Sequence, residues 1–535
     1  MAAYFDSSAP LLPEIIALHG KWRATKPAVI FEQHELNWGE FTTRIARVAK
    51  GLLDAGCQTG DRVAVLMSNS MEMVEALFGI MAAGCVSVPI NLSVTNKAVL
   101  GMLEDSGSSV LFLSNDQQAR LQSDVELLPD QIRLILTTGS LDEALGANAL
   151  WQQYHSFFSD HSSKKHSAGQ NSQTPAVEIS NDDYLNIIYS SGTTGLPKGI
   201  VHTHRGRRDW AYDLAIALRY HGGARTLLTL GLYSNISWVA MLSTLLAGGT
   251  LVIHRQFDPN TFIDAVEQYA ITHTAMVPIQ FQRVLENPRA QHANFSSLQG
   301  MMSCGSPLFA ELKKRIFELF PCGIIELYGL TEGIITTLEP EEAEGRWASV
   351  GRPLIGTDIC IVGDNDQLLP AGQAGEIVSR GRITMPCYYN RDEATQQACW
   401  LDGEGQRWLR SGDIGVLDDE GYLSIVDRKK DMIVSGGQNI YPQDIEAVLQ
   451  CHAAVSEVAV IGVCSQKWGE TPLALVVGAP GAAVSEADLL AWSNSQLGKQ
   501  QRLAAVQYIA ELPRNPNGKI LKRELRQSFA KVQFN

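Results

Sequence analysis

One short segment combines residue types that suit phosphate chemistry. Residues 189–199 read Tyr-Ser-Ser-Gly-Thr-Thr-Gly-Leu-Pro-Lys-Gly and follow an apolar strand predicted over residues 185–189. Glycines let backbone amides approach a phosphate, hydroxyls donate hydrogen bonds, and a lysine neutralises charge. The segment is not a GxxxxGK[ST] loop, because Gly199 follows Lys198 and a strand is predicted next. A Gly/Ser/Thr segment alone is more typical of a linker, but the Pro-Lys-Gly and the two strands favour a loop for nucleotide phosphates.

The elements around this segment follow an alternating pattern. Helices are predicted over residues 41–55 and 71–83, with strands over residues 61–67 and 85–90. The same rhythm returns over residues 184–323 and predicts doubly wound, mostly parallel sheets with helices on both faces. After about residue 345, short strands and Gly/Asp turns predict a small β-barrel-like part.

The last hundred residues have an α+β pattern of their own. A helix is predicted over residues 442–451, strands over residues 455–463 and 472–478, and a final strand over residues 503–512. This pattern predicts a small C-terminal domain, joined to the rest near residues 427–431.

Composition excludes several classes of protein. The 535 residues carry a net charge of -14, which argues against nucleic acid or an anionic membrane as the main partner. The nine cysteines are scattered without a CxxC pair, so neither a disulfide framework nor a zinc site is expected. We find no secretory signal and no apolar run long enough for a membrane span, and expect a cytoplasmic protein. Residues 155–182 are polar and are predicted to be an exposed connection.

Further motifs, together with the phosphate-loop segment, resemble the adenylate-forming superfamily of acyl-CoA synthetases, peptide-synthetase adenylation domains and luciferases. They are Ser303-Cys-Gly-Ser-Pro-Leu308, Tyr328-Gly-Leu-Thr-Glu332, Ser411-Gly-Asp413, Asp427-Arg-Lys-Lys-Asp431 and Pro516-Asn-Gly-Lys519. Each motif is weak alone, but together they stand in the family's order and cover nearly the whole chain. The resemblance implies a large N-terminal domain over residues 1–427, a hinge over residues 428–430 and a mobile C-terminal domain over residues 431–535.

The resemblance implies a site for ATP and Mg²⁺. Gly305–Pro307 and Tyr328 are implied to hold adenine, and Asp413, expected in a turn, to accept hydrogen bonds from the ribose hydroxyls with help from Arg428. Glu332 is implied to hold Mg²⁺, which prefers oxygen ligands beside phosphate. The full implied nucleotide set is Ser190, Ser191, Gly192, Thr193, Thr194, Gly195, Lys198, Gly305, Ser306, Pro307, Tyr328, Gly329, Thr331, Asp413, Arg428 and Lys519.

The resemblance also implies two chemical steps. Lys519, which with Glu332 and Lys198 forms the implied catalytic set, would bridge the acid carboxylate and the ribose or α-phosphate oxygens during adenylation. Gly436 and Gly437 would line the path of the coenzyme A thiol, although a Gly-Gly hairpin turn explains that loop equally well. Lys519 and the thiol cannot reach one carbonyl together, so the C-terminal domain is expected to rotate about Lys430.

The acid pocket is less well defined by the sequence. The candidate wall is mostly apolar, with two glycines expected to leave room, and suits a medium or long aliphatic chain or an aromatic ring. Its residues are Tyr233, Ser234, Trp238, Met301, Met302, Ser303, Gly329, Gly333 and Ile334. Three departures from the family pattern put details of the pocket in doubt. Ser234 stands where relatives often have His, Glu326-Leu327 where many have Gln-Gly, and Val434 where many have Lys.

Two main enzymatic hypotheses remain open from the sequence, and a luciferase-like oxidase is a remote third. The first is an acyl-CoA synthetase that converts acid, ATP and coenzyme A into acyl-CoA, AMP and pyrophosphate. The second is an adenylation enzyme that loads the phosphopantetheine of a carrier protein in trans. An α-amino acid is disfavoured, because residues 233–238 lack an acidic partner for its ammonium group. A nucleotide-sensing protein without activity is disfavoured by the intact Lys198, Glu332, Asp413 and Lys519, whereas a homodimer and the identity of the acid are left open.

Overall fold

The computed structural model describes most of the chain. The described residues are 9–122, 125–141, 145–146, 148–160, 177–190, 197–436, 438–499, 501–515 and 518–534. They form four sheets, of nine, seven, six and five strands.

The seven-stranded sheet carries the phosphate-loop segment at one edge. Neighbouring strands are parallel, except that the last two are antiparallel. In spatial order the strands are Trp151–Gln153, Leu134–Thr137, Val110–Leu113, Arg62–Leu66, Val86–Pro89, Tyr184–Ser190 and Lys198–Thr203. The helices connecting them are Trp38–Asp54, Met71–Ala82, Asn96–Ser106, Asn115–Gln122 and Tyr154–Asp160, with a 3₁₀ turn at Val125–Leu127.

The nine-stranded sheet has a parallel centre and antiparallel edges. In spatial order its strands are Arg352–Pro353, Ile335–Leu338, Ile325–Gly329, Gly300–Ser303, His273–Met276, Arg225–Leu228, Thr250–Ile253, Pro27–Phe31 and His34–Asn37. Its helices are Leu12–Trp22, His204–Ala217, Asn235–Ala247, Pro259–Tyr269, Pro278–Leu285 and Ala310–Leu319, with 3₁₀ turns at Pro288–His292 and Pro340–Glu342. The prediction of doubly wound sheets is confirmed.

The core between these two sheets follows from local sequence. The helix Met71–Ala82 is capped by the Ser70 hydroxyl and buries every residue except Glu72. A helix that is apolar all round must be buried on all sides, and it lies with Asn235–Ala247 in one cluster that includes side chains of both sheets. The predicted helices over residues 41–55 and 71–83 are therefore confirmed, with bounds of Trp38–Asp54 and Met71–Ala82.

The polar connection begins later than predicted. Residues 155–160 belong to the helix Tyr154–Asp160, in which Phe157 and Phe158 are buried. Phe158 packs edge-on against Phe112, and a side chain at Gly51 would collide with its ring at 2.6 Å. These long-range aromatic contacts override the polar composition around them.

Two smaller sheets follow. The five-stranded sheet is antiparallel and contains Thr357–Val362, Gly375–Gly381, Cys399–Leu401, Arg407–Leu417 and Leu423–Arg428, with a short helix at Asp392–Gln397. The six-stranded sheet contains Ile433–Ser435, Gln438–Ile440, Val455–Ser465, Gly469–Gly478, Ala505–Tyr508 and Gln533–Phe534, with helices Pro442–Gln450, Glu486–Gln496 and Lys522–Ser528.

The C-terminal part has its own core. Two clusters of buried residues, within residues 433–506 and 459–525, contain only side chains of this part. This matches the predicted small α+β domain. The predicted final strand over residues 503–512 is wrong in extent: the strand covers only Ala505–Tyr508, and Gln533–Phe534 comes after it.

No helix in the described part of the chain combines the length and apolar character needed to cross a lipid bilayer.

Candidate active site

Asp413 is the centre of one cluster of predicted site residues. It lies in the strand Arg407–Leu417 and pairs in register with Arg428 of the neighbouring strand. The expectation that Asp413 lies in a turn is therefore wrong, because the strand Leu423–Arg428 pairs with this part of the chain and keeps it extended. The Tyr328 hydroxyl donates to Asp413 Oδ2 at 2.7 Å, and Arg428 Nε lies 3.2 Å from Oδ1. Burial, reinforced by the charge of Asp413, raises the pKa of Tyr328 well above its usual value, so the phenol remains a donor.

Lys519 reaches this cluster from the C-terminal part. Burial lowers the pKa of Lys519 to about 7, with the nearby positive charge of Arg428 adding to the effect and Asp413 opposing it. Its turn is closed by Asn515, whose amide donates to the Lys519 carbonyl at 2.8 Å and whose Oδ1 accepts from the Lys519 amide at 2.9 Å. A Cβ atom on Gly518 would lie 3.2 Å from Val277 and 3.3 Å from Ile279. The turn that carries Lys519 is therefore seated on the N-terminal part.

Glu332 and Lys198 form a second cluster around Tyr388. The Tyr388 hydroxyl donates to Glu332 Oε1 at 2.9 Å, and Lys198 Nζ lies 4.8 Å from the centre of the same ring. Burial raises the pKa of Glu332, an effect that the hydrogen bond from Tyr388 opposes. Sequence reasoning did not identify Tyr388, since nothing about the residues around it indicates chemistry.

The two ends of the phosphate-loop segment meet in the sheet. Ser190 pairs with Lys198 across the antiparallel strands Tyr184–Ser190 and Lys198–Thr203, as a loop between them requires. The preceding Tyr189 is fixed by a 2.7 Å hydrogen bond from its hydroxyl to Asp105 Oδ2. The other predicted loop residues, Ser191, Gly192, Thr193, Thr194 and Gly195, lie outside the described residues.

The two motifs implied to bind adenine lie at one edge of the nine-stranded sheet. The strands Gly300–Ser303 and Ile325–Gly329 are parallel neighbours, so Gly305–Pro307 follow the carboxyl end of the first strand and Tyr328 and Gly329 form the carboxyl end of the second. Ligands of open α/β sheets bind at such an edge. Ser303 Oγ and Ser306 Oγ are buried there and have no hydrogen-bond partner among the described residues. Leaving a buried hydroxyl unpaired costs about 1–3 kcal/mol. A ligand bound at this edge could supply the missing hydrogen-bond partners.

The candidate acid-pocket wall is only partly brought together. Trp238 is fully buried and donates from Nε1 to the Leu232 carbonyl at 2.9 Å, and Ser234 caps the helix Asn235–Ala247. Tyr233 lines a cavity of about 350 Å³ that is bordered by Val277 and Ile279 and by the Lys519 turn. Polar side chains also line this cavity, among them Ser68, Asn69, Gln280 and Arg283.

The two glycines of the wall do not leave room as expected. A Cβ atom on Gly333 would lie 2.4 Å from the Ile383 carbonyl oxygen, and one on Gly329 would lie 2.7 Å from that of Ile334. Both spaces are filled by backbone, so these glycines permit close packing of chain segments.

A buried arginine supports this wall. Arg207 is 1% exposed, donates to Asn186 Oδ1 at 3.0 Å and to Asn235 Oδ1 at 2.9 Å, and lies over the rings of Trp210 and Trp238. Its neighbour His202 donates from Nε2 to the Thr331 carbonyl at 2.8 Å. Burial lowers the pKa of Arg207 to about 9. The pair His202 and Arg207, not predicted from sequence, thus joins Thr331 to the pocket wall.

The departure at Glu326 has a structural explanation. Glu326 forms an ion pair with Lys313, and both side chains are buried. Lys313 also donates to the carbonyls of Trp347 at 2.8 Å and Ser349 at 3.2 Å. Glu326 of the strand Ile325–Gly329 therefore forms a buried ion pair with the helix Ala310–Leu319, for which a charged carboxylate is suited.

The predicted hinge is a tight turn between two sheets. The amides of Asp431 and Met432 both donate to the Arg428 carbonyl, at 2.9 and 3.1 Å, and Asp431 pairs with Arg526 at 2.8 Å. Lys430 itself is exposed. Gly436 lies beyond this turn with φ of 58°, and its amide donates to the Trp468 carbonyl at 2.8 Å. Gly437 lies outside the described residues.

Comparisons with known proteins identify the family of this chain. The profile described as AMP-binding enzyme matches residues 19–389, and the one described as AMP-binding enzyme C-terminal domain matches residues 444–519. The chain belongs to the AMP-binding enzyme family. It is an AMP-forming acid–thiol ligase, as the names of its relatives indicate.

Three relatives illustrate the range of the family around this chain. A feruloyl-CoA synthase of an Amycolatopsis species is 34% identical over 498 residues, covering 92% of this chain and 94% of that protein. The fatty acid–[acyl-carrier-protein] ligase ScoC of Streptomyces coeruleorubidus is 32% identical over 529 residues, covering 97% and 96%. The structure of a Mycobacterium tuberculosis fatty acyl CoA synthetase is 30% identical, with a TM-score of 0.74 and coverage of 98% and 99%.

Proposed function

We propose that this enzyme activates a carboxylic acid with ATP and transfers the acyl group to coenzyme A. In the first step the acid carboxylate attacks the α-phosphorus, the bond to the pyrophosphate oxygen breaks, and acyl-AMP forms. In the second step the coenzyme A thiolate attacks the acyl carbonyl and AMP leaves. The single observation that carries the proposal is that Tyr328 and Arg428 contact Asp413 while Lys519 lies within electrostatic range of Asp413 and Arg428.

The Asp413 cluster supports a ribose site next to the reacting phosphate. Asp413 Oδ2 is taken by Tyr328, whereas Oδ1 is buried and accepts no hydrogen bond among the described residues. Oδ1 would accept from the ribose hydroxyls, beside the guanidinium of Arg428. Lys519 would then face the α-phosphate and the acid carboxylate, where a fixed cation stabilises the charge that develops in the transition state.

The Glu332 cluster suits Mg²⁺ bound together with ATP phosphates. Tyr388 occupies Oε1 of Glu332, which leaves the second oxygen for a ligand. No group of three or more His, Cys, Asp or Glu side chains suited to a metal occurs in the described part of the chain. Mg²⁺ prefers one or two carboxylates combined with phosphate oxygens and water, so a single Glu332 fits it. The ion would neutralise phosphate charge, while Lys198 and the loop over residues 189–199 would hold the β- and γ-phosphates.

We assign the arrangement of the C-terminal part to the first step. Lys519 lies within electrostatic range of Asp413, while the Gly436 amide donates to the Trp468 carbonyl within the C-terminal part. For the second step we propose rotation about Lys430 that withdraws Lys519 and brings Gly436 and Gly437 toward the acyl group. The units that move are residues 1–427 and 431–535.

We infer a medium-chain, long-chain or aryl acid as substrate. The half-buried Tyr233 lines the cavity together with Val277 and Ile279 and offers apolar surface there, and relatives are named for feruloyl and fatty acyl groups. Each buried CH₂ contributes about 0.8 kcal/mol, so kcat/KM should rise about fourfold per added CH₂ until the pocket is filled.

A panel of acids tests the function. Pyrophosphate release is measured with ATP, Mg²⁺ and acids from acetate to palmitate, together with benzoate and cinnamate derivatives. Octanoate or an aryl acid should be activated and acetate should not. Equal use of acetate and octanoate would contradict the apolar pocket, and release with no acid at all would contradict the proposed activity.

The alternative acceptor is a carrier-protein phosphopantetheine, as the name of the 32% identical ScoC suggests. Consumption of free coenzyme A thiol in the same assay separates the two acceptors. Coenzyme A at high concentration should be consumed in proportion to AMP formed. Acyl-AMP that accumulates with coenzyme A present, but disappears when a holo carrier protein is added, would favour the alternative.

A further inference from the structure

Tyr388 contacts both charged groups of the phosphate half of the site. Its hydroxyl donates to Glu332 Oε1 at 2.9 Å, and its ring centre lies 4.8 Å from Lys198 Nζ. Lys198 and Glu332 form no ion pair with each other in the described part of the chain. One neutral side chain is thus placed between a cation and an anion.

The backbone around Tyr388 is tied to the same two motifs. The Tyr389 amide donates to the Gly199 carbonyl at 2.7 Å, and the Val201 amide donates to the Cys387 carbonyl at 3.2 Å. The Met385 amide donates to the Glu332 carbonyl at 2.8 Å. Residues 385–389 therefore run along the strand that begins with Lys198 and hold the Glu332 backbone at the same time.

Keeping the charges of Lys198 and Glu332 apart leaves both groups free to bind a ligand. Opposite charges a few ångströms apart in a partly buried site attract strongly, and a direct Lys198–Glu332 pair would occupy the groups that phosphate and metal need. A ring face satisfies the ammonium group, and a phenol satisfies one carboxylate oxygen. Both charges remain available to a ligand.

We propose that Tyr388 is a positioning residue that keeps Glu332 and Lys198 apart and directs both toward the nucleotide phosphates. The inference rests on the proposed function. The two contacts of Tyr388 can be removed in steps. Tyr388→Phe loses the hydroxyl that donates to Glu332 but keeps the ring beside Lys198, whereas Tyr388→Leu loses both.

The direct test measures binding without turnover. Mn²⁺ affinity is followed by electron paramagnetic resonance in the presence of α,β-methylene-ATP, and affinity for the analogue itself is followed by calorimetry. Tyr388→Phe should weaken Mn²⁺ binding about tenfold, as expected for loss of a hydrogen bond to a charged group, and change analogue affinity by less than about twofold. Tyr388→Leu should weaken both, because Lys198 and Glu332 can then pair.

The half-reactions supply the second readout. Pyrophosphate release should fall about tenfold in Tyr388→Phe and further in Tyr388→Leu, while conversion of supplied acyl-AMP by coenzyme A should not change. Tyr389→Phe is the matched control, because it removes the hydroxyl of the next residue and should behave as the unmodified enzyme. Unchanged Mn²⁺ affinity in Tyr388→Phe, or an equal loss in both half-reactions, would overturn the inference.

Failure of the inference and failure of the proposed function are distinguishable. If no acid supports pyrophosphate release by the unmodified chain but Tyr388→Phe still loses Mn²⁺ affinity, the positioning role stands and the reaction is wrong. If pyrophosphate is released and Tyr388→Phe binds Mn²⁺ normally, only the positioning role is wrong. Tyr388→Phe removes only the hydroxyl and keeps the packing of the ring, so this variant should fold. The test therefore does not depend on whether Tyr388→Leu folds.

Discussion

The two halves of the site differ in how many structural units build them. The phosphate half consists of Lys198, Glu332 and Tyr388, all from the N-terminal part and joined by backbone hydrogen bonds as well as side chains. The ribose half consists of Asp413 and Arg428, paired across two strands, with Lys519 arriving from the C-terminal part. The first half is fixed by sheet pairing, whereas the second is complete only while the Lys519 turn is seated on Val277 and Ile279.

In the proposed mechanism, this difference lets one site perform two steps. Groups that bind ATP phosphates are needed once, and a fixed cluster serves them well. In that mechanism the cation that assists adenylation leaves before a thiol approaches the same carbonyl, so it is carried by the part that we propose to rotate. Burial also disfavours charge in both halves: it raises the pKa of Glu332 and lowers the pKa of Lys519 to about 7. A bound nucleotide and its metal would restore both charged forms.

The largest effect is expected from Lys519→Ala. Adenylation should fall about 10²–10³-fold, because a cation aimed at developing negative charge is lost. Conversion of supplied acyl-AMP to the thioester should continue at close to the normal rate. Each half-reaction is measured separately, and Lys499→Ala serves as the control because Lys499 is an exposed lysine of the same part. An equal loss in both half-reactions would show that Lys519 belongs to the fixed half.

The next largest effect is expected from Glu332→Gln. The amide keeps the shape of the side chain but not the charge that holds Mg²⁺, so adenylation should fall by about 10²-fold. Raising the Mg²⁺ concentration should recover part of the rate, while the melting temperature should stay within about 2 °C of the unmodified value. Glu344→Gln, which changes an exposed carboxylate, is the control. Normal pyrophosphate release by Glu332→Gln would contradict the assignment of Mg²⁺ to Glu332.

A smaller and opposite effect is expected from Lys430→Pro. Proline fixes φ near -65°, so it should hinder rotation at the hinge and slow thioester formation at least about tenfold. Adenylation should be retained, since no hydrogen bond of the Lys430 amide occurs among the described residues. Lys430→Ala removes the side chain without restricting φ and should retain both steps. Equal slowing of both steps in Lys430→Pro would argue against rotation about this residue.

The smallest effect is a proton taken up by Lys519 when nucleotide binds. With its pKa lowered to about 7, Lys519 is mostly neutral at pH 8 and mostly charged at pH 6 in the free enzyme. The phosphates of ATP favour the charged form, so binding should take up nearly one proton at pH 8 and almost none at pH 6. Calorimetry of α,β-methylene-ATP in buffers of different ionisation enthalpy measures this uptake. Lys519→Arg should abolish it, and uptake unchanged in that variant would assign the proton to another group.

Much of the architecture is encoded locally. The helices Trp38–Asp54 and Met71–Ala82 could be predicted from the pattern of their apolar residues, whereas the caps at Asn37 and Ser70 are shown by the structure. The boundary between the two parts could be placed near residues 427–431 because two kinds of pattern meet there. The prediction failed for residues 155–160 because Phe158 packs against Phe112, which is distant along the chain and cannot be inferred from the local pattern.

The sequence by itself determined the order of the motifs, the family they belong to and the residue types available for the reaction. Only the tertiary structure decided which of those residues touch. Tyr388 reaches Glu332, Glu326 pairs with Lys313, and the space beside Gly333 is filled by the Ile383 carbonyl. These contacts join residues that are distant along the chain, and they depend on the order and register of strands. A motif fixes local chemistry, but the partner that orients a side chain is set by whichever segment the sheet brings beside it.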